Sequence, residues 1–244
     1  MKICVAQTRP VMGDIEANID RHQQLIEGAI ALGADLIVFP ELSITGYEPT
    51  LAKDWAVDLG DRRFDRFQTL SDTHQITIGI GAPTQNPPGI CISLLLFQPH
   101  QARQHYSKMH LHPDEEPFFV PGPPSAGLIG PGAKVALAIC YELFVPEHAA
   151  HAAHNGAAVY LTSVAKSVDG VEKARKRLRE IARDYAMTVL MANCLGLADG
   201  MDCPGQTSVW SPQGTLLSQL DDVEEGFIVV DTETQAVLQR TLIL

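Results

Sequence analysis

The chain alternates between short, almost wholly apolar runs and longer stretches in which apolar residues recur every three or four positions. The short runs are "KICVAQT" (2–8), "DLIVFP" (35–40), "ITIGIGAP" (76–83), "ICISLLLF" (90–97), "KVALAIC" (134–140), "AAVYLTS" (157–163) and "AMTVLMAN" (186–193), and each reads as a β-strand. Several are apolar at successive positions, the pattern of a sheet covered on both faces. Between the first two, Ile15, Ile19, Leu25, Ile26 and Ile30 repeat at helical spacing behind Asp14, a candidate N-cap. That order predicts a β-α-β beginning. A second helix is expected within 50–70, and a third over 170–185, where "EKARKRLREIARDY" sets Leu178, Ile181 and Tyr185 among charges. The basic run there reads as a solvated helix face.

The tail from Gly205 onward reads as short strands broken at Pro212-Gln213-Gly214 and at the acidic run from Asp221 to Glu225. "PTQNPPG" (83–89) reads as a hairpin loop, since apolar strands stand directly on both sides. No repeat, low-complexity segment or linker marks a boundary, so one domain over 1–244 is expected, a length that buries a large single core.

Composition narrows the partners. A formal net charge of -11 argues against a nucleic-acid or anionic-membrane surface. The first ten residues include polar Gln7, Thr8 and Arg9, unlike a secretory signal. The longest apolar runs fall far below the roughly 18 residues of a membrane span. Five scattered cysteines, Cys4, Cys91, Cys140, Cys194 and Cys203, fit a reducing cytoplasm better than a disulfide framework. A soluble, cytoplasmic protein with no nucleic-acid or membrane partner is the expectation.

Three polar residues stand where rigid strands end, the places that hold reactive groups without losing support. Glu41 follows "DLIVFP", Lys108 follows "ARQHYS", and Cys140 closes "KVALAIC". Taken singly they read as a surface carboxylate, a solvated lysine and an inert core thiol. Together they read differently: a thiol becomes a nucleophile beside an ammonium or a general base, and these residues supply both.

The blocks around them resemble the nitrilase superfamily of carbon-nitrogen hydrolases: "FPELSITGY", then "YSKMHL", then "AICYELFVPE", in the family's order. "VAQTRPVMGDIEANI" resembles the family's opening strand and helix, and "GQTSVWSPQG" its G-x-S-x-V-x-x-P-x-G turn, so the likeness covers almost the whole chain. The resemblance implies a four-layer α-β-β-α sandwich, with Cys140 as nucleophile, Glu41 as general base and Lys108 as electrostatic stabiliser. The backbone N–H of Tyr141 is the expected second oxyanion donor. Register against "FFVPG" places the family's further glutamate at Glu115 rather than Glu116, with a role in orienting Lys108 and Glu41 or a purely structural ion pair.

Departures from the family pattern bear on the substrate. Phe144 and Val145 stand where many amidase-like members carry Arg-Phe, which removes a cationic anchor and suggests an apolar wall. Lys166 stands near a position that is often aromatic, and is either a partner for a substrate carboxylate or a solvated loop lysine. Tyr47, His110 and Glu142 are further candidate substrate contacts. His148, His151 and His154 repeat every third residue but spread around a helix axis, so they read as solvated or capping residues and no metal site is expected. The resemblance implies a homodimer or larger homo-oligomer, no cofactor, and hydrolysis of a small linear amide, ω-amidase-like, through a cysteine thioester. N-carbamoyl amidohydrolase, nitrilase, amine acyltransferase and a non-catalytic metabolite-binding homologue are the alternatives.

Overall fold

The computed structural model of the chain describes residues 1–242; Ile243 and Leu244, the end of the expected 1–244 domain, lie outside the described residues. In chain order the elements are β1 (Lys2–Gln7), α1 (Ile15–Ala31), β2 (Leu36–Val38), α2 (Ala52–Trp55), α3 (Asp65–His74), β3 (Thr77–Asn86), β4 (Gly89–Phe97), β5 (Gln104–Ser107) and β6 (Leu128–Ile129). There follow β7 (Val135–Ile139), α4 (Pro146–His154), β8 (Val159–Val164), α5 (Val168–Tyr185), β9 (Thr188–Asn193), β10 (Leu195–Ala198), β11 (Met201–Pro204), β12 (Ser208–Trp210), β13 (Leu216–Gln219), β14 (Gly226–Asp231) and β15 (Val237–Thr241). All seven runs expected to be strands are among them. Asp14 caps α1 as expected, its Oδ1 accepting from the Ala17 N–H at 3.0 Å.

The strands form two main sheets, ordered β15-β14-β1-β2-β3-β4-β5 and β13-β12-β9-β8-β7-β6, with β10 and β11 as a separate hairpin. Their successive apolar residues are explained by what each face covers. Ile3, Val5, Leu36, Val38, Ile92 and Leu94 of the first sheet share one core with Val135, Leu137, Leu161 and Leu190 of the second, so the sheets pack face to face. On the far face of the first sheet, Cys4, Ile37 and Ile78 pack on Ile19, Leu25 and Ile26 of α1 and Phe67 of α3. On the far face of the second, Ala136, Tyr160 and Met191 pack on Ala149 of α4 and Leu178 and Ile181 of α5. Helix, sheet, sheet, helix: the four-layer sandwich is the observed fold. No helix among the described residues is long and apolar enough to cross a membrane.

Two expectations change in detail. The helix expected within 50–70 is broken into α2 and α3, because residues between them leave the helix and the Val57 N–H joins the sheet edge at Pro83 O, 2.9 Å away. The loop expected at 83–89 shrinks to Pro87-Pro88, since β3 and β4 keep pairing out to Asn86 and Gly89.

A third expectation is corrected: His148 is neither solvated nor a cap. It lies buried in α4 with Nδ1 2.8 Å from the Tyr160 hydroxyl and Nε2 3.0 Å from the Tyr106 hydroxyl, while His151 and His154 are exposed. Among the described residues no group of three or more ligating side chains is arranged for a metal. His22 of α1 is buried likewise, between Asn18 O and Ser43 Oγ. Burial holds both imidazoles neutral, lowering each from 6.5 to about 4. The unfolded chain takes up these protons near its ordinary histidine value, whereas the folded chain resists until about 4. Stability is therefore full above about 6.5 and is lost as pH falls through that window, at no more than about 1.4 kcal/mol per pH unit for each histidine. Urea midpoints followed from neutral pH to about 4.5 should show a shallower acid slope for His22→Gln than for the parent, and equal slopes would contradict the assignment.

Candidate active site

The three strand ends meet between the sheets. Glu41 lies beyond β2, Lys108 directly follows β5, and Cys140 directly follows β7, so the first sheet contributes two of the groups and the second sheet one. The sheets are tied at this end: Ser163 Oγ donates to Phe39 O at 2.8 Å, and the Ala165 N–H donates to Glu41 Oε2 at 3.2 Å.

Lys108 Nζ is 2.7 Å from Glu41 Oε1 and 2.7 Å from Glu115 Oε1. All three side chains are sealed, with residue exposures of 0 % for Lys108, 2 % for Glu41 and 1 % for Glu115. A buried charge is tolerated only when paired and fully hydrogen-bonded. The remaining oxygens meet that condition: Glu115 Oε1 also accepts from the Tyr47 hydroxyl at 2.9 Å, and Oε2 accepts from the His112 N–H at 2.8 Å. Glu116 is exposed. Burial and the neighbouring Glu115 raise the proton affinity of Glu41, against the opposing pull of Lys108. Burial works against the Lys108 ammonium, yet Glu41, Cys140 and Glu115 together hold it above its ordinary value.

Cys140 has φ of +43°, a left-handed conformation unusual for a side chain other than glycine, and opens a short 3₁₀ turn (Cys140–Phe144) before α4. Such a bend swings the thiol off the strand axis and out of the core. Cys140 is partly exposed and lines a cavity of about 270 Å³, alongside Tyr47, Glu115, Tyr141, Phe144 and Lys166. Burial, then Glu41, push the thiol up to about 11, while Lys166 and Lys108 pull the other way. Lys166 Nζ donates to Sγ at 3.3 Å, and no hydrogen bond joins Sγ to Glu41 or Lys108 among the described residues. Their link to the thiol is electrostatic.

The other candidates separate. Phe144 and Lys166 line the cavity, and Lys166 is 8 % exposed, so the solvated reading of that lysine is set aside. Tyr47 lines it too, with its hydroxyl spent on Glu115. His110 is corrected: it is exposed and lines a different groove, with Met109 and His151 beside α4. Glu142 is corrected as well. It is 0 % exposed, and its carboxylate turns back under the strand to accept from Ile139 N–H at 2.8 Å, Met109 N–H at 2.7 Å and the Tyr106 hydroxyl at 2.8 Å. It ties the end of β7 to the segment after Lys108 and is out of reach of a ligand in the cavity.

Two supporting residues escaped the reading of the sequence. Asn193, at the end of β9, clamps the backbone of Lys166: Oδ1 accepts its N–H at 2.9 Å and Nδ2 donates to its carbonyl at 3.4 Å. Gly81 of β3 lies against Glu41, where a Cβ would stand 2.1 Å from Pro40 O and 2.5 Å from Leu42 N. Its signal was the repeated glycine in "ITIGIGAP", a mark of close backbone approach in a strand. Gly81→Ala must displace the Glu41 segment, so kcat/KM for an amide should fall by about 100-fold, the cost of misplacing a reacting group by about an ångström. An unchanged rate would show that Glu41 needs no such support.

Comparison with known proteins gives the same picture over the same length. A nitrilase of Pyrococcus abyssi is 26% identical over 249 residues, spanning 99% of this chain and 93% of that protein. An (R)-stereoselective amidase of Pseudomonas sp is 26% identical over 232 residues, 94% of this chain and 84% of that protein. A solved variant of an amidase from Nesterenkonia sp. AN1, carrying the acetamide moiety of fluoroacetamide on its active-site cysteine, superposes with a TM-score of 0.84 at 27% identity over 95% of this chain and 89% of that one. The carbon-nitrogen hydrolase family model matches residues 2–239. With that match spanning nearly every element of the sandwich, the chain belongs to the carbon-nitrogen hydrolase family and is an amidase-like enzyme of the nitrilase superfamily.

Proposed function

We propose that this enzyme hydrolyses small linear carboxamides, in the manner of an ω-amidase, with Cys140 as nucleophile, Glu41 as base and Lys108 as the cation that meets the oxyanion. The observation that carries the reading is a partly exposed Cys140 lining a cavity and backed by a sealed Glu41–Lys108–Glu115 cluster. The thiol is held up near 11, so at neutral pH it is protonated and needs a base at the moment of attack. A carboxyl whose own proton affinity burial has raised is suited to accept that proton.

The steps follow. Sγ adds to the amide carbon as its proton passes to Glu41, and the carbonyl electrons move to oxygen, where the Lys108 ammonium and the Tyr141 N–H face the new charge. The C–N bond breaks, Glu41 returns the proton to nitrogen, and ammonia leaves a Cys140 thioester. Water, losing a proton to Glu41, then cleaves the thioester to the carboxylic acid and regenerates the thiol. Glu115 and Tyr47 fix Lys108 in place, and Glu142 fixes the two loops relative to one another. A cavity of about 270 Å³ suits a substrate of a few carbons. The Nesterenkonia amidase has also been solved in a variant bound to butyramide, a molecule of that size.

A panel of short carboxamides, N-carbamoyl compounds and nitriles, followed by ammonia release, tests the reading. Carboxamides should be turned over fastest. Release from nitriles or carbamoyl compounds alone would reassign the reaction, and no release from any would point to acyl transfer or binding only.

A further inference from the structure

Among the described residues, the side chain hydrogen-bonded to the nucleophile is Lys166, whose Nζ donates to Cys140 Sγ at 3.3 Å. Its placement is built rather than incidental. Lys166 lies just past the end of β8 and is 8 % exposed. Asn193 grips its backbone, Oδ1 accepting the N–H at 2.9 Å and Nδ2 donating to the carbonyl at 3.4 Å. The Phe144 ring centre lies 4.9 Å from Nζ, so a ring face attracts the ammonium without neutralising it. The carboxylates nearby are committed elsewhere: Glu41 and Glu115 pair with Lys108, and Asp114 pairs with His112. The charge of Lys166 is left for the sulfur.

Turnover strengthens that pairing twice. At rest, burial and then Glu41 push the thiol up, while Lys166 and, after it, Lys108 pull it down. Passage of the proton from Sγ to Glu41 discharges that carboxylate, so the new thiolate faces the two ammoniums with its main opposing charge gone. When water later adds to the thioester carbon, the C–S bond breaks with its electron pair going to sulfur. The same negative charge then stands on Sγ until Glu41 returns the proton. Lys108 is held by its two glutamates, whereas Lys166 already aims an N–H at the sulfur.

We propose that Lys166 is a second catalytic lysine, the partner of the Cys140 thiolate, stabilising the sulfur's charge as it attacks and again as it leaves while keeping its own protons. This role rests on the hydrolase reading of Cys140 and divides the work between two cations: Lys108 meets the oxyanion and Lys166 the sulfur. It also accounts for Phe144. An arginine there would set a like charge beside Nζ, whereas a phenyl face attracts it.

Alkylation by acrylamide reads the thiolate without turnover. In a Glu41→Gln protein a neutral amide stands for the protonated Glu41, and the titratable groups still acting on Sγ are Lys108, Glu115, Lys166, Tyr47 and Cys194. Labelling rates at Cys140 across pH, followed by intact mass, give a midpoint. Adding Lys166→Met should raise that midpoint by about 1–3 pH units, the effect of losing an adjacent opposite charge. Adding Lys166→Arg should leave it near that of Glu41→Gln alone. Lys166 has no ion pair whose loss would strand a carboxylate, so the variants should fold, and Lys166→Gln replaces Lys166→Met if urea midpoints show otherwise. Equal midpoints with and without the Lys166 ammonium overturn the proposal. With Glu41 intact, Lys166→Met should lower kcat for butyramide by about 10- to 100-fold with KM little changed. A raised KM with kcat unchanged would make Lys166 a substrate contact and overturn the catalytic role, while ammonia release by the parent enzyme keeps the hydrolase reading. A parent that cleaves no amide ends that reading, and the labelling midpoints still decide whether Lys166 holds the thiolate.

Discussion

Replacing Cys140 with alanine is expected to lower amide hydrolysis by about 10⁴-fold or more, since a covalent nucleophile has no understudy here. Cys4, Cys91, Cys194 and Cys203 are buried, and burial raises the first two above the ordinary thiol range. Hydrogen bonding of the Cys194 thiol with Cys203, and then burial, does the same for Cys194. The substitution keeps a Cβ at the φ of +43°, so backbone strain is unchanged and the fold should persist. Ammonia release measures the loss, and the urea midpoint shows that it is chemical rather than structural. Residual activity within tenfold of the parent enzyme would remove Cys140 from the reaction.

The second large effect is at Lys108. Lys108→Met leaves Glu41 and Glu115 buried near one another with their shared cation gone. Removing one partner of a buried ionic cluster costs about 3–5 kcal/mol of stability. Loss of the oxyanion cation costs a further factor of about 10²–10³ in kcat. The two effects are separable. Adding Glu41→Gln to Lys108→Met removes one of the stranded carboxylates, so stability should recover in part while activity does not. In the single variant Glu41, already raised by burial and now without its cation, binds its proton more tightly when folded than when unfolded, so stability should improve as pH is lowered through the carboxylate range. A Lys108→Met protein as stable as the parent at neutral pH would contradict the pairing.

Much of this site was legible in the sequence because it sits at strand ends, and strands announce themselves by apolar runs. Glu41 and Cys140 were conspicuous as polar residues at the ends of such runs, whereas Lys108 follows the polar "ARQHYS" and was picked out with them by the matching blocks that supplied the family. Family register separated Glu115 from Glu116, and the structure agrees, burying one and exposing the other. What lies beyond was written in the third dimension. Glu142 and His110 adjoin Cys140 and Lys108 in the chain, yet one turns inward and the other faces a separate groove, and adjacency cannot tell those directions apart. His148 looked solvated because Tyr106 and Tyr160, which enclose it, come from two different sheets. The burial of Lys166 depends on Asn193, a residue 27 positions away. Strand β5 was missed because its sequence, Gln104–Ser107, is polar, as an edge strand allows.

The claim beneath all of this is that an acyl group passes through the sulfur of Cys140. Incubating the enzyme with a short carboxamide, quenching in acid within a turnover and measuring intact mass tests it directly. The account predicts a species heavier by the acyl group, lost on brief exposure to hydroxylamine and mapped by peptide digestion to Cys140. Hydrolysis that proceeds with no such adduct, or an adduct on another residue, would contradict it.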